Sequence, residues 1–237
     1  MFEKFPKQRN PLPPEYILIY NSHIKSNREG KTTATSFSMK MERWLHKQTA
    51  ADVGKSKNVS TLEIGAGTLN QFNYENTTPY DIVEPMPELY AGSPHLSKVR
   101  KIYNDIEDVS TDNNYERIIS IATFEHITNL PAVVAKTCLL LKKGGSLRVA
   151  IPNEGTILWT MGTKLFTGIE FKIKYKLDYG VIMKYEHVNT AEEIEEVLNY
   201  FYKAVTCSVF GISKLLAFYR FYECKGPRIE IARSFRI

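Results

Sequence analysis

Apolar positions in this chain follow two rhythms, and the change from one to the other marks out the elements. Phe37, Met41, Trp44 and Leu45 recur at helical spacing, which predicts an amphipathic helix ending near Ala51. After the link Lys55 to Asn58 the pattern turns strand-like. Val59, Leu62 and Ile64 run into Gly65 and Gly67, Tyr80 to Glu84 is closed by Pro85, and Val99 to Tyr103 reads as a third strand. Arg117 to Ala122 is β-branched and apolar, as a parallel strand covered on both faces should be. Pro131 opens a helix with Val133, Val134, Thr137, Leu140 and Leu141 as its buried stripe, and Gly144 and Gly145 are expected to stop it. Ser146 to Ile151 is the fifth strand. Thr190 and Glu193 make a capping box for a helix that buries Ile194, Val197, Leu198 and Phe201. Val205 to Phe210 and Leu215 to Tyr222 flank Gly211 and close the sheet as an antiparallel pair. Strands alternating with helices predict a doubly wound α/β sheet. Only the polar stretch Thr68 to Thr78 joins the first two strands, so the helix usual there must be short or irregular.

With 237 residues the chain can bury a large core, and one α/β domain over 1–237 is expected. Within it, 1–54 holds a proline-rich, basic arm (Met1 to Pro14), the apolar Tyr16 to Tyr20, a polar loop (Asn21 to Thr35) and the cap helix. An insertion spans 153–188. Hydrophobic content of 43% and charged content of 24% are those of a soluble globular protein. Three cysteines cannot all pair and show no metal spacing, which suits a reducing cytoplasm. The first residues lack an apolar signal core, and no apolar run is long enough to cross a bilayer. The net charge of +5 permits an anionic substrate but argues against a nucleic acid partner.

The chemistry begins at Thr61-Leu-Glu-Ile-Gly-Ala-Gly-Thr-Leu-Asn70. A buried strand entering a glycine pair ends in a tight turn whose backbone can lie against a ligand, at the sheet edge where α/β folds bind ligands. The dinucleotide fingerprint needs a third small residue where Asn70 stands, which disfavours NAD and FAD. Glu84 follows the turn by about twenty residues, the interval at which a carboxylate accepts from ribose hydroxyls. The whole string resembles motif I of the class I S-adenosyl-L-methionine (AdoMet) methyltransferases, and LLKKGGSLRVAIPN resembles their stretch through strand five. The resemblance spans about two-thirds of the chain. It implies a seven-stranded Rossmann-like sheet with an antiparallel C-terminal strand, and AdoMet as cofactor. It makes Glu63 the acidic residue of the motif and assigns Gly65, Ala66, Gly67 and Thr68 to the cofactor turn. Glu84 would hold the ribose and Pro85 and Met86 would lie beside the adenine. Asp105 would stand near the adenine amino group, Ile106 against its ring, and Thr123 and Phe124 at the end of strand four.

Methyl transfer from a sulfonium needs alignment, exclusion of water and a base where the nucleophile is protonated. His126, in Thr123-Phe-Glu-His-Ile127, is the first candidate base, although an imidazole there can equally serve to orient the loop. Glu125 could face the acceptor or form a buried pair. Small-RNA 2′-O-methyltransferases use Glu-His here as metal ligands, with another glutamate where this chain has Ala122, so no metal is expected. His187 is a second candidate base or acceptor contact. The insertion interleaves Trp159, Phe166, Phe171, Tyr175, Tyr179 and Tyr185 with Lys164, Lys172, Lys174, Lys176 and Lys184. It reads as an acceptor wall or as amphipathic helices with their lysines in water. Glu42 and Trp44 could cover AdoMet from the other side. TGIEFKIKYKLDYG and YEHVNT resemble methyltransferases of surface-polysaccharide biosynthesis, implying a small or medium acceptor such as a sugar or nucleotide-sugar, methylated on oxygen or nitrogen. The alternatives are a quinone or lipid-like precursor, RNA, and a non-catalytic AdoMet-binding protein.

Overall fold

The computed structural model describes residues 2–17, 19–20, 36–54, 58–112, 114–162 and 168–235, without the side chains of 36–38, 157, 161, 162 and 170. The polar loop expected over Asn21 to Thr35, link residues 55–57, Lys164 and Phe166 lie outside the described residues.

Seven strands form one sheet: β1 (Asn58–Ile64), β2 (Thr78–Val83), β3 (Lys101–Tyr103), β4 (Tyr115–Ile121), β5 (Leu141–Pro152), β6 (Tyr202–Gly211) and β7 (Ala217–Pro227). Their order is β3-β2-β1-β4-β5-β7-β6. β1 to β5 are parallel, and β7 runs antiparallel to both β5 and β6. Winding proceeds outward from β1 in one direction and from β4 in the other, so a crevice opens between their carboxyl ends. The helices Leu130–Leu140, Ala191–Phe201 and Ile229–Ser234 contribute to the main core, with Leu62, Ile64, Ile118, Leu147 and Val149 from the strands. The predicted capping box is present: Thr190 N donates to Glu193 Oε2 at 2.9 Å and Glu193 N to Thr190 Oγ1 at 3.3 Å. Between β1 and β2 stands only a single 3-10 turn, Asn70–Asn73, as the short connection required.

Several boundaries differ from the sequence reading, and the last strand runs on from Tyr222 to Pro227. The third strand shrinks to Lys101–Tyr103. The helix meant to end at Gly144 and Gly145 ends at Leu140, and the glycines lie inside β5. There the β4–β5 register jumps from Tyr115↔Leu141 to Arg117↔Ser146. Gly144 takes φ +86, and a Cβ on Gly145 would lie 2.8 Å from the Glu116 carbonyl oxygen. The pair makes a bulge and not a helix stop.

The helix Ser36–Ala50 lies on the β5–β7 side of the sheet, with Leu45 packed against Ala150 and Phe221. Two arginines from the middle of strands hold its carboxyl end. Arg117 Nη2 donates to the Thr49 carbonyl at 2.8 Å, and Arg148 donates to the carbonyls of Thr49 and Gln48 at 2.9 and 2.6 Å. They supply donors that the last helical turn lacks and positive charge at the negative end of its dipole. The insertion carries the helices Ile157–Gly162, Ile169–Tyr175 and Tyr179–Glu186. Phe171 and Ile182 bury against Tyr16 of the arm, while Lys172, Lys174, Lys176 and Lys184 are exposed. Among the described residues no helix is long and apolar enough to cross a membrane.

Candidate active site

The first half of the site is the turn after β1. Gly65 has φ +73, and a Cβ there would fall 2.2 Å from Thr123 Oγ1. Only glycine lets the ends of β1 and β4 come this close. Gly67 has φ +51, and the space its Cβ would enter is open. The Gly67 N–H donates to Glu84 Oε2 at 2.9 Å, and the Met86 N–H donates to Glu84 Oε1 at 3.1 Å. The Glu84 carboxylate therefore ties the turn after β1 to its own loop. Each oxygen keeps a lone pair for another donor.

The second half follows β4. Ala122 leaves the strand with φ +49, a conformation that costs a residue with a Cβ, and it is exposed. Phe124–His126 forms a 3-10 turn held from behind by Asn189, whose Nδ2 donates to the carbonyls of Phe124 (2.8 Å) and Ile127 (2.7 Å). The N–H groups of Val188 and Asn189 both donate to the Glu125 carbonyl. The chain thus brings His187 back beside His126, with ring centroids 4.9 Å apart at 77°. His126 Nδ1 lies 2.9 Å from the Glu186 carbonyl oxygen, and His187 Nδ1 lies 2.8 Å from Glu154 Oε2. Trp159 Nε1 donates to the same Glu154 oxygen at 2.5 Å.

Glu125 is 1% exposed, and burial pushes its carboxyl up to about 7 against the pull of His187. Its Oε2 has no hydrogen-bond partner among the described residues. For His187, burial acts downward, but the Glu154 hydrogen bond and the charges of Glu125, Glu154 and Glu186 outweigh it, so its pKa rises. Burial likewise acts upward on Glu154, and His187 with Trp159 brings it below its ordinary value.

The N-terminal arm closes one side of this half. Arg9 Nη2 donates to the His126 carbonyl at 2.7 Å, Lys7 N to the Thr128 carbonyl at 2.9 Å, and Lys7 Nζ to the Val188 carbonyl at 2.7 Å. Tyr20 Oη donates to Glu186. Arg9, Leu12, Ile17, Tyr20 and Tyr185 line a cleft of about 430 Å³.

No family model matches the chain. A malonyl-[acyl-carrier protein] O-methyltransferase of Priestia megaterium is 32% identical over 108 residues, covering 43% of this chain and 39% of that protein. The match thus spans well under half of that relative's length. Among solved structures, the plantazolicin methyltransferase BpumL, in complex with a pentazolic analog and SAH, superposes with a TM-score of 0.62. It is 16% identical, over 90% of this chain and 93% of that one. A possible histamine N-methyltransferase of Thermotoga maritima gives a TM-score of 0.51 at 19% identity, over 80% and 96%. The two structural likenesses, at under 20% identity, are likenesses of fold.

The chain has the class I AdoMet-dependent methyltransferase fold.

Within this methyltransferase fold the sequence-selected residues occupy different depths. Gly65, Gly67, Thr68 and Met86 are half-buried at the edge, and Pro85 is exposed. Thr123 Oγ1 donates to the Ile121 carbonyl at 3.1 Å. Asp105 is exposed and caps a short turn through the Glu107 N–H, 2.9 Å away. Ile106 and Phe124 are buried in the main core, and Ala66 packs with Leu69 and Phe72. Glu42 is exposed and Trp44 packs at a tilt against Phe210, centroids 5.6 Å apart. Arg9, Glu186 and Asn189 were not singled out from the sequence. The available signal for Arg9 was the basic character of the proline-rich arm, which holds Lys4, Lys7 and Arg9.

Glu63 lies under the turn, 3% exposed, accepting from Tyr80 Oη at 2.7 Å. Burial pushes its carboxyl up to about 8, with the Tyr80 hydrogen bond acting the other way. A folded-state pKa above the unfolded value lets folded and unfolded chains both stay protonated in acid. As pH rises through the unfolded value toward about 8, only the unfolded chain gives up its proton, so stability falls over that window. Glu63→Gln should therefore melt above the parent at about pH 8, by an amount on the order of a few kcal/mol in urea titrations, and match it at about pH 4. Equal differences at both values would show that Glu63 is ionised in the folded protein.

Proposed function

We propose that this protein transfers the methyl group of AdoMet to an oxygen or nitrogen of a small or medium-sized acceptor. The observation that carries the reading is the Gly67–Glu84 contact: an open backbone turn tied to a buried carboxylate, across the crevice from a histidine pair. The plantazolicin methyltransferase of like fold is in complex with SAH, and the Priestia megaterium relative is an O-methyltransferase. The residues fit AdoMet. The glycine turn leaves room beside Gly67, and Glu84 retains acceptor capacity for two ribose hydroxyls.

AdoMet supplies an activated methyl on a positively charged sulfur, and that charge is lost on transfer. Glu84 would hold the ribose, the turn from Gly65 to Thr68 would carry the amino-acid end, and the loops of Pro85–Met86 and Asp105–Ile106 would flank the adenine. The acceptor enters from the cleft lined by Arg9, Tyr20 and Tyr185. His126 takes the acceptor's proton at Nε2, its Nδ1 being held by the Glu186 carbonyl. His187, braced by Glu154, orients it. A sugar or nucleotide-sugar is a narrower form of this reading. The exposed insertion lysines point to water, so the cleft's arginine and tyrosines are the acceptor's polar partners in it. The three free cysteines suit a cytoplasmic setting.

His126→Ala should leave AdoMet affinity unchanged and slow SAH formation by about 10²- to 10³-fold, the usual range for losing a positioned acid or base. The assay is chromatographic SAH release across a panel of nucleotide sugars, small amines, carboxylic acids and quinones. Undiminished turnover in the variant would remove His126 from the mechanism.

A further inference from the structure

We infer that Glu125, His126 and His187 are the protein ligands of a divalent transition-metal ion. One donor atom from each of the three lies within 4.8 Å of the other two. Bonds of roughly 2.0–2.2 Å to a tetrahedral ion would set neighbouring donors about 3.4 Å apart. Glu125 Oε1 and His126 Nε2 are 3.8 Å apart and no separation within the trio exceeds 4.8 Å, so the donors would draw together by up to about 1.4 Å on binding.

The surroundings match what metal-bound histidines require. Such a histidine gives its other ring nitrogen to a carbonyl or carboxylate, which fixes the tautomer and aims the ligating nitrogen. Here His126 Nδ1 lies 2.9 Å from the Glu186 carbonyl oxygen and His187 Nδ1 2.8 Å from the Glu154 carboxylate, the outer contacts such ligands need, and His126 Nε2 lies on the Glu125 side of its ring. Glu154 is in turn held by Trp159 Nε1. The carboxylate of the trio is 1% exposed with Oε2 unpartnered among the described residues, an arrangement that costs free energy unless a proton or a cation sits against it. Asn189 and the Val188 and Asn189 N–H groups hold the Glu125–His126 turn in place.

The donor set also indicates which ion. Two imidazoles and one carboxylate suit zinc, iron, nickel or manganese better than magnesium or calcium, which prefer oxygen ligands alone. Three protein ligands leave coordination positions open, and an acceptor hydroxyl or amine bound there loses its proton more readily. Ala122, the ground for expecting no metal, stands where a second carboxylate would be the fourth ligand. This ligand set does not use that position. The placement of the site beside an acceptor rests on the methyl-transfer reading. If it holds, His126 acts through the ion instead of taking the proton directly. Metal binding itself does not depend on that reading.

The test uses the full chain, free of any tag and stripped with a chelator, titrated with Co²⁺ and with Zn²⁺. Stoichiometry is read by atomic emission, and geometry by the visible Co²⁺ spectrum. One ion per chain is expected. His126→Ala and His187→Ala should each weaken binding at least a hundredfold. Glu154→Gln keeps all three ligands but loosens His187, and should cost about 10- to 100-fold. Glu84→Ala should leave metal affinity unchanged, so loss of the AdoMet reading would not touch this result. If a histidine variant does not fold by circular dichroism, the Glu154→Gln titration decides alone. Absence of stoichiometric binding, or binding unaltered in the folded variants, would overturn the site.

Discussion

Gly65→Val should abolish AdoMet binding, and Glu84→Ala should weaken it by about two orders of magnitude. The first effect is steric. A Cβ at Gly65 would fall 2.2 Å from Thr123 Oγ1 and 2.8 Å from Thr123 Cβ, at a backbone φ of +73. A β-branched residue cannot adopt that conformation without strain of about 1–3 kcal/mol, before the clash is relieved. Relief can come only by spreading the ends of β1 and β4, which form the floor of the crevice. The second effect is electrostatic. Hydrogen bonds to a charged group contribute roughly 1.5–3 kcal/mol each, so two to ribose hydroxyls account for a hundredfold or more. Glu84→Ala also releases the Gly67 and Met86 N–H groups, which loosens the turn. Isothermal titration calorimetry measures both variants. Parent-like affinity in the pair would mean that the cofactor binds elsewhere.

Arg117→Ala should destabilise the protein by about 3–5 kcal/mol, the usual cost of removing one partner from a buried ion pair. Arg117 is 1% exposed and donates to both oxygens of Glu75, at 2.5 and 3.0 Å, and to Asp52 at 3.1 Å. The Glu75 side chain has no exposed surface, so the variant leaves a buried carboxylate without its cation. It also strips a donor from the Thr49 carbonyl at the end of the cap helix. For a chain of this size the loss corresponds to a fall in Tm on the order of 10 °C. Arg117→Met combined with Glu75→Gln should recover much of it, because the pair's desolvation cost disappears along with its attraction. Urea denaturation with both variants makes the comparison. A single-variant loss below about 1 kcal/mol would indicate that water reaches the cluster.

The local grammar of the chain was readable residue by residue. The capping box at Thr190 and Glu193, the brevity of the β1–β2 link, and the antiparallel pair around Gly211 all depend on neighbours within a few positions. Gly144 and Gly145 show where such reading stops. Two glycines after an apolar stripe have the same local pattern whether they end a helix or form a bulge. The choice fell to the Glu116 carbonyl on β4, which stands where a Cβ on Gly145 would be. The two aspects of the insertion were both present in the sequence as well, and packing of Phe171 and Ile182 on Tyr16 put its lysines in water.

What the sequence determined by itself was the alternating α/β architecture and the glycine turn with its carboxylate at one side of the sheet edge. Apolar periodicity, positive-φ glycines and a carboxylate one strand later are short-range properties, fixed by backbone geometry and by burial of strands between two layers. Tertiary structure alone decided the other side. Glu125 and His126 meet His187 only because β5 and the insertion helices return the chain to the end of β4, and Arg9 reaches them from the far terminus. Nor could a strand position reveal that Arg117 and Arg148 cap a helix that precedes them in the chain. Contacts between residues so far apart leave no period in the sequence, because they are selected by how layers pack and not by where side chains fall along one element.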